Sequence, residues 1–454
     1  MSTISPVEKN QTLQGTVTDL TYEGLGVVKI DHFPIFIANA LPGEEIEYQI
    51  VKVGKKIAFG RVVKRIKESP HRQKVPADLL KTGAAPLAHL DYAEQLKFKE
   101  HQVKNAVERI AKLPEVPVLP ILGAEQVFHY RNKAQVPVRN IDTVLATGFF
   151  RQRSHDLIPL EDFYIQDEAI DRAIIIVRDL LRKFKIRAYD ENYHTGQLRH
   201  IIVRRGYYSH EMMIVLVTRK AKFFEGEKLA QAIHEALPEV VSIIQNVNSE
   251  KTNVILGDTN KTLWGKDAIT DTLLGKTYRI SPSSFYQVNT PQAEKLYQTA
   301  IDFAELTPED VAIDAYCGIG TIGLSFADKI KALYGVEVVP QAVEDARYNA
   351  GKNGIQNAHF VCSSAEKALE KWQADGIEPD VIFVDPPRKG LTPSFINSAA
   401  ETNARRIIYI SCNPATLARD LALFAEKGYH TQKIQPVDMF PQTLHTEAVA
   451  LLVK

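Results

Sequence analysis

The sequence predicts an α/β protein in three parts: a five-stranded OB-like barrel, a β-rich central domain, and a C-terminal Rossmann-like domain. Three observations lead there. Five short strand patterns crowd into residues 12–68, strand patterns still dominate from about 125 to 270, and from 275 onward strands and helices alternate. That last rhythm is the mark of a parallel sheet covered by helices on both faces. At ~150 residues per domain, a chain of 454 residues has room for all three.

The barrel strands are "LQGTVTDLT", "GLGVVKI", "FPIFIANA", "EEIEYQIVKV" and "KIAFGRVVKRI", separated by Gly, Asp-His and Pro-Gly breaks. Small barrels of this kind often bind single-stranded nucleic acid. Between Lys52 and Lys74 there are nine Lys or Arg against one acid, Glu68, so a basic band lies on the last strands although the formal net charge is zero. "SPHRQKVP" reads as a linker. A helical period over 91–112 places Leu96, Val103, Val107 and Ile110 on one side, and the Pro-rich joint "LPEVPVLP" follows. The central strands are "KAQVPV", "TVLATGFF", "RHIIVRR", "EMMIVLVT" and "VSIIQNVN", with helices near 166–185 and 226–236. Arginines recur at their ends, among them Arg131, Arg139, Arg151, Arg199, Arg204 and Arg205. The division expected is 1–69 for the barrel, 70–92 with 125–270 for the central domain, and 93–124 with 271–454 for the Rossmann-like domain.

Three scattered cysteines make no disulfide framework, and no pair has CxxC spacing, so the chain reads as reduced and cytoplasmic, with no metal site. "MSTISPVEKNQ" has no apolar signal core, and an apolar run such as "AIIIV" at 173–177 is too short to span a bilayer. No membrane association or obligate protein partner is indicated, and a monomer is expected.

"AIDAYCGIGTIG" (312–323) sets Gly318, Gly320 and Gly323 in GxGxxG spacing after a strand and before a helix, and Glu337 closes the next strand about twenty residues on. Glycines let the backbone approach a nucleotide-like ligand, and the acid can take ribose hydroxyls. "VIFVDPPRKG" ends the fourth strand in Asp385-Pro386-Pro387, at the edge where open α/β sheets bind ligands. This resembles class I methyltransferases that use S-adenosylmethionine, and a dehydrogenase has no need of such a turn. Arg388 stands where amino-group methyltransferases usually carry an aromatic clamp, which points away from N-methylation.

Cys412, in "IIYISCNPATLARD", follows the fifth strand at the same edge and precedes Asn413-Pro414, which opens a helix. The helix dipole is expected to favour its thiolate. Cys362 ends the third strand in an apolar run and is read as inert, and Cys317 as lining the cofactor loop. A methyltransferase needs a nucleophile when its target is uracil C5. A thiolate added to C6 makes C5 electron-rich enough to take the methyl group, and a base must then remove the C5 proton. Glu447 heads the last strand, "EAVALLV", where partial desolvation would make it more basic than an exposed carboxylate. His445, two residues earlier, competes for that role and is assigned instead to orienting a neighbour.

"SFYQVN", "DAYCGIGTIG", "DPPRKG", "SCNP" and "HTEAVALL", in this order behind a small barrel, resemble the TrmA/RumA family of RNA uridine-C5 methyltransferases over nearly the whole chain; the family's barrel is called a TRAM domain. The resemblance implies Cys412 as nucleophile and Glu447 as proton acceptor. It also implies Gln287, Tyr316, Glu337 and Asp385, beside Gly318 and Gly320, as S-adenosylmethionine contacts. Several relatives hold an iron–sulfur cluster through four cysteines, and three cysteines exclude one here. RNA is the implied substrate, 23S ribosomal RNA being favoured over the T-loop of transfer RNA. Lys55, Arg61, Arg131, Arg151, Arg204 and Arg388 are the expected RNA contacts. Cytosine-C5 methylation and a catalytically inactive RNA-binding assembly factor are the alternatives; Pro387 occupies the place where cytosine enzymes usually carry a second cysteine.

Overall fold

The computed structural model describes residues 5–454; residues 1–4, which open the segment read as lacking a signal core, lie outside it. The chain forms two compact units, one from residues up to 102 with 440–444, the other from 103–439 with 445–454.

The first unit is built on β1 (Thr12–Thr16), β2 (Asp19–Leu20), β3 (Gly26–Ile30), β4 (Phe33–Ala38), β5 (Glu45–Val53) and β6 (Ala58–Lys67), bonded in the order β1-β5-β6-β4-β3-β2. Alternation in "EIEYQIVKV" turns Ile46, Tyr48 and Ile50 inward, where they meet Ile35, Ile37 and Ala58. The first expected strand is in fact two. At Val17 the backbone N–H donates to Glu44 O and at Thr18 to Val27 O, so the chain leaves β5 and joins β3. Part of the basic band is structural: Arg72 Nε and Nη2 reach the fully buried Glu44 carboxylate at 2.5 and 2.9 Å, and Arg65 Nη2 donates to Asn39 O at 2.6 Å.

Next come α1 (Ala77–Thr82) and α2 (Tyr92–Ala106), the latter followed by a single π turn, Val107–Ala111. The apolar stripe expected over 91–112 is displaced. Ile110 is exposed, while Gln95 and Lys99 are fully buried. Gln95 Nε2 donates to Leu87 O, Leu90 O and Gln442 Oε1, and Lys99 Nζ to Phe440 O at 3.0 Å, so two polar side chains anchor the 440–444 segment. Hydrogen-bonding to carbonyls makes their burial tolerable.

In the second unit a central sheet runs β13-β12-β11-β10-β7-β8-β9. Its strands are β7 (Lys133–Ile141), β8 (Val144–Phe150), β9 (Leu157–Pro159), β10 (Leu198–Arg205), β11 (Met212–Thr218), β12 (Val240–Val247) and β13 (Thr259–Gly265); α3 (Glu168–Lys183) and α4 (Gly226–Ala236) pack on them. Every residue of β11, "MMIVLVT", is buried because the strand is central. The polar edge strand β13, "TNKTLWG", lacks an apolar period and was not foreseen. A hairpin, β14 (Ile269–Leu273) and β15 (Lys276–Ile280), leads to the last sheet.

That sheet is ordered β18-β17-β16-β19-β20-β22-β21. Its elements are α5 (Thr290–Ala304), β16 (Val311–Ala315), β17 (Ala332–Glu337), α6 (Pro340–Lys352), β18 (Ala358–Cys362), α7 (Ala365–Ala374), β19 (Val381–Val384), α8 (Pro393–Glu401), β20 (Arg406–Ser411), α9 (Pro414–Ala425), β21 (His430–Val437) and β22 (Glu447–Val453). The first five strands are parallel, as expected. β22 inserts antiparallel between β20 and β21, because the short 438–446 connection cannot supply the crossover a parallel neighbour needs. Ile407 and Tyr409 pack with Leu417, Leu421 and Phe424 of α9, and Ile408 and Ile410 are equally buried on the other face. Among the described residues no helix is long and apolar enough to cross a membrane.

Candidate active site

Strand register brings the chemistry-bearing residues out at one edge. Ala315 pairs with Val336 and Val384, Val384 with Tyr409, and Ser411 with Ala448. One residue beyond these rungs stand Tyr316, Glu337 and Asp385. On the antiparallel rung that would follow, Cys412 faces Glu447.

Cys412 sits in a turn fixed from both sides. Asn413 caps α9 by accepting the Ala415 N–H at 3.0 Å, and its Nδ2 donates to Arg388 O at 3.2 Å; Thr416 Oγ1 donates to the same carbonyl at 3.3 Å. The DPPR turn is thus latched to the start of α9. Half-buried Cys412 does not rest as a favoured thiolate, as its helix position suggested. Burial, then the Glu447 and Asp385 carboxylates, push the thiol up to about 11, with Arg388 opposing them. The fractional charge of a helix end is outweighed by two carboxylates in a partly dry site. Glu447 is 5% exposed. Burial, with Asp385 adding to it, raises its carboxyl to about 8, and burial raises Asp385 to about 7. Arg388 is exposed and lies 3.1 Å from Nε2 of the exposed His445.

The glycine loop has the expected form. Gly320 has φ +85°, and a Cβ there would come within 2.8 Å of Leu324 Cδ1. Around Gly318 a Cβ would meet nothing within 4 Å, so the loop borders open space. Tyr316, half-buried, takes φ +67°, a left-handed conformation unusual for an aromatic residue. Glu337 accepts the Gly318 N–H at 3.2 Å through Oε2 and those of Val338 and Val339 through Oε1, fixing one carboxylate against three amides. Gln287 is buried, and its side chain is hydrogen-bonded with the hydroxyl of fully buried Tyr297. Together these groups fit S-adenosylmethionine: a glycine turn with free space, an acid for the ribose, and acidic side chains for a cationic sulfonium.

Three supporting residues escaped the sequence reading. Asp314, inside β16, accepts the Gly323 N–H at 2.8 Å, and burial raises its carboxyl to about 7; an acid within an apolar strand was the available signal. Asn132 donates through Nδ2 to Gln287 O at 3.0 Å and Thr290 Oγ1 at 3.1 Å, and its N–H reaches Val288 O. Tyr297 joins Gln287 to Thr321. Nothing local in the sequence marks either of these two.

The other candidates divide. Cys317 is buried, and burial pushes its thiol well above the ordinary value. Cys362 is exposed, contrary to its apolar context, because β18 is an edge strand. Lys55, Arg61 and Arg151 are exposed; Arg61 contacts Gln49 Oε1 at 2.7 Å, and half-buried Arg131 is hydrogen-bonded with Tyr130. Arg204 must be corrected. It is 4% exposed and donates to Pro282 O at 3.3 Å and Ser284 O at 2.5 Å, so it braces the "SFYQVN" segment and offers no surface to a phosphate.

Comparison with known proteins agrees with this geometry. Residues 91–454 match the model of the tRNA (Uracil-5-)-methyltransferase family, and residues 6–63 the TRAM domain. An "Uncharacterized RNA methyltransferase" of Lactiplantibacillus plantarum is 57% identical over 449 residues, 98% of each chain. One of the same description from Enterococcus faecalis is 53% identical over 99% of this chain and 98% of its own. The crystal structure of Pyrococcus abyssi tRNA (uracil-54, C5)-methyltransferase in complex with S-adenosyl-L-homocysteine superposes with a TM-score of 0.80 at 28% identity, covering 97% of this chain and 99% of that one. A full-length match of this kind, with a TRAM domain ahead of a glycine loop and acids at one sheet edge, establishes that the chain belongs to the tRNA (uracil-5-)-methyltransferase family and is an S-adenosylmethionine-dependent RNA methyltransferase.

Proposed function

We propose that the chain forms 5-methyluridine in 23S ribosomal RNA, with Cys412 as nucleophile and Glu447 as the base that removes the C5 proton. The observation that carries this reading is the placement of Cys412 and Glu447 on facing strand ends beside Asp385. Cys412 loses its proton to solvent, assisted by the Arg388 cation, and its sulfur bonds to C6 of the uracil. The C5–C6 π electrons move onto C5 and O4. C5 takes the electrophilic methyl group that bound S-adenosylmethionine would supply, the broken C–S bond leaving its electron pair on the departing thioether. Glu447 then accepts the C5 proton, the C5–C6 double bond re-forms, and the Cys412 sulfur leaves with the bonding pair. Gln287, Tyr316, Gly318, Gly320, Glu337 and Asp385 hold the cofactor. A carboxyl near 8 is suited to a proton transfer close to neutral pH, since it is far more basic than an exposed glutamate.

The barrel and the central domain grip the RNA through Lys55, Arg61, Arg131 and Arg151, while residues 93–124 and 271–454 carry out the reaction and add Arg388 as a further RNA contact. Phe285, in the same segment as Gln287, is 70% exposed and suited to stacking on a base drawn out of its helix. The enzyme works as a cytoplasmic monomer in this reading.

A second reading, methylation of a transfer RNA, is favoured by the printed activity of the Pyrococcus abyssi relative. Mapping 5-methyluridine in 23S ribosomal RNA and transfer RNA from cells with and without the protein separates the two. Loss from 23S ribosomal RNA is expected; loss confined to transfer RNA selects the second reading. Loss of 5-methylcytidine alone, or of no methylated base, rejects both.

A further inference from the structure

We propose that His129, Asp162 and Asp171 form a divalent-cation site, of the zinc or manganese class, where the segment entering β7 meets the first turn of α3. One ligand atom from each of the three lies within 4.8 Å of the others. To reach bonds of about 2.1 Å, each would move inward by no more than about 0.7 Å. Asp162 is exposed; its Oδ1 accepts the Tyr164 N–H at 2.7 Å, and its Oδ2 can turn toward an ion.

Two independent features point to a ligand. Asp171 is 7% exposed; its Oδ2 accepts the Phe163 N–H at 3.0 Å, but its Oδ1 has no hydrogen-bond partner. A buried carboxylate oxygen left bare is costly, and Asp162, Asp167 and Glu168 add negative charge around it. The neighbouring cations are engaged elsewhere: Arg172 pairs with Glu239, Arg178 with Glu161, and Arg205 with Asp167.

The second feature is His129. Its Nδ1 lies 3.0 Å from Gln166 O. A carbonyl only accepts, so Nδ1 carries the hydrogen, and in the neutral ring Nε2, 4.0 Å from Glu168 Oε1, presents its lone pair. That tautomer, fixed by a carbonyl behind the ring, is how metal-ligating histidines are usually held. His129 also sits at φ +52°, held there by its N–H bond to Tyr164 O at 2.8 Å. The three ligands open onto a pocket of about 340 Å³ that Glu161 and Glu168 also line.

One imidazole with two carboxylates suits zinc, with manganese next. More than thirty residues separate His129 from Asp162, so no spacing motif reveals the set. A bound ion would tie the 129–131 segment to α3. Asn132, the residue that holds the Gln287 loop, follows directly, so stiffening would extend toward the cofactor segment.

The test uses full-length protein stripped with a chelator and titrated calorimetrically with Zn²⁺, and in parallel with Mn²⁺, beside thermal melts. Asp162→Asn keeps the bond from the Tyr164 N–H and removes the charge; His129→Gln removes the imidazole. Wild-type protein is expected to bind one equivalent at this site with at least tenfold higher affinity than either variant, and only wild type should gain melting temperature. The same pattern with Mn²⁺ supports the site equally. The absence of binding, or binding and stabilisation unchanged in both variants, overturns the proposal, because the ion would then sit on other histidines or thiols.

Discussion

Replacing Glu447 with Gln should move the reactivity of Cys412 and the catalytic turnover in opposite directions. The Cys412 thiol stands at about 11 against an ordinary 9.0, and Glu447 is the largest cause after burial. That rise leaves ~100-fold less thiolate near neutral pH. Removing one of the two carboxylates should return part of that, a several-fold gain that stays below 100-fold. The assay is iodoacetamide labelling of the Cys412 peptide at pH 9, where Glu447 is ionised in wild type, followed by mass spectrometry, with exposed Cys362 as internal control. Turnover should fall by ~10²–10⁴, the usual contribution of a general base, and RNA should accumulate covalently attached to the protein. Stability follows with a definite sign. Folded Glu447 holds its proton up to about 8 against an ordinary 4.5, so it removes stability as pH rises through that interval. The Gln variant should therefore melt higher than wild type at pH 9. Slower labelling combined with normal turnover would refute the placement of Glu447 beside the thiol and its role as base.

Four further outcomes are expected. The rate at which the methylated covalent adduct is resolved to free RNA in single turnovers should rise between pH 6.5 and 8.5 as Glu447 loses its proton near 8, and a profile flat across that range would move the base elsewhere. Asn132→Ala removes the donor to Gln287 O and Thr290 Oγ1; it should cost about 1–3 kcal/mol in denaturant unfolding and raise the KM for S-adenosylmethionine more than it lowers kcat. Gly320→Ala meets both φ +85° and Leu324 at 2.8 Å, so calorimetric affinity for S-adenosylhomocysteine should fall with a stability loss of about 1–3 kcal/mol. Lys55→Ala and Arg61→Ala should each lower the slope of log RNA affinity against log salt by about 0.7–0.9, whereas Arg204→Met should instead destabilise the fold.

The order and edges of the catalytic strands were legible because apolar runs such as "VIFV" and "RIIYIS" stand between turn signals, and because the chemistry of a doubly wound sheet gathers at its strand ends. Cys412, Asp385 and Glu447 could be brought together on that rule alone. Register made the statement sharper, because the last β20–β22 rung, Ser411 with Ala448, leaves Cys412 and Glu447 next to each other at the ends of those strands. Side-chain environment was not legible. Gln95 and Lys99 are buried although their types favour solvent, because carbonyls of neighbouring turns receive them. Arg204 looked like a phosphate contact and serves as a brace for the same reason. The thiol of Cys412 was expected to be acidic from its helix alone; its two carboxylate neighbours come from strands more than twenty residues away in sequence, beyond any local pattern. Asn132 and Tyr297 act on Gln287 across long sequence separations and leave no local trace.

The most direct test of the central claim is the covalent bond itself. RNA carrying 5-fluorouridine has no C5 proton for Glu447 to remove, so after methyl transfer the Cys412–C6 bond cannot be released. Wild-type protein with S-adenosylmethionine should yield a denaturation-resistant protein–RNA adduct whose mass spectrum places the nucleotide on the peptide containing Cys412, and Cys412→Ala should yield none. An adduct mapped to Cys317 or Cys362, or uridine methylation retained by the alanine variant, would contradict the mechanism.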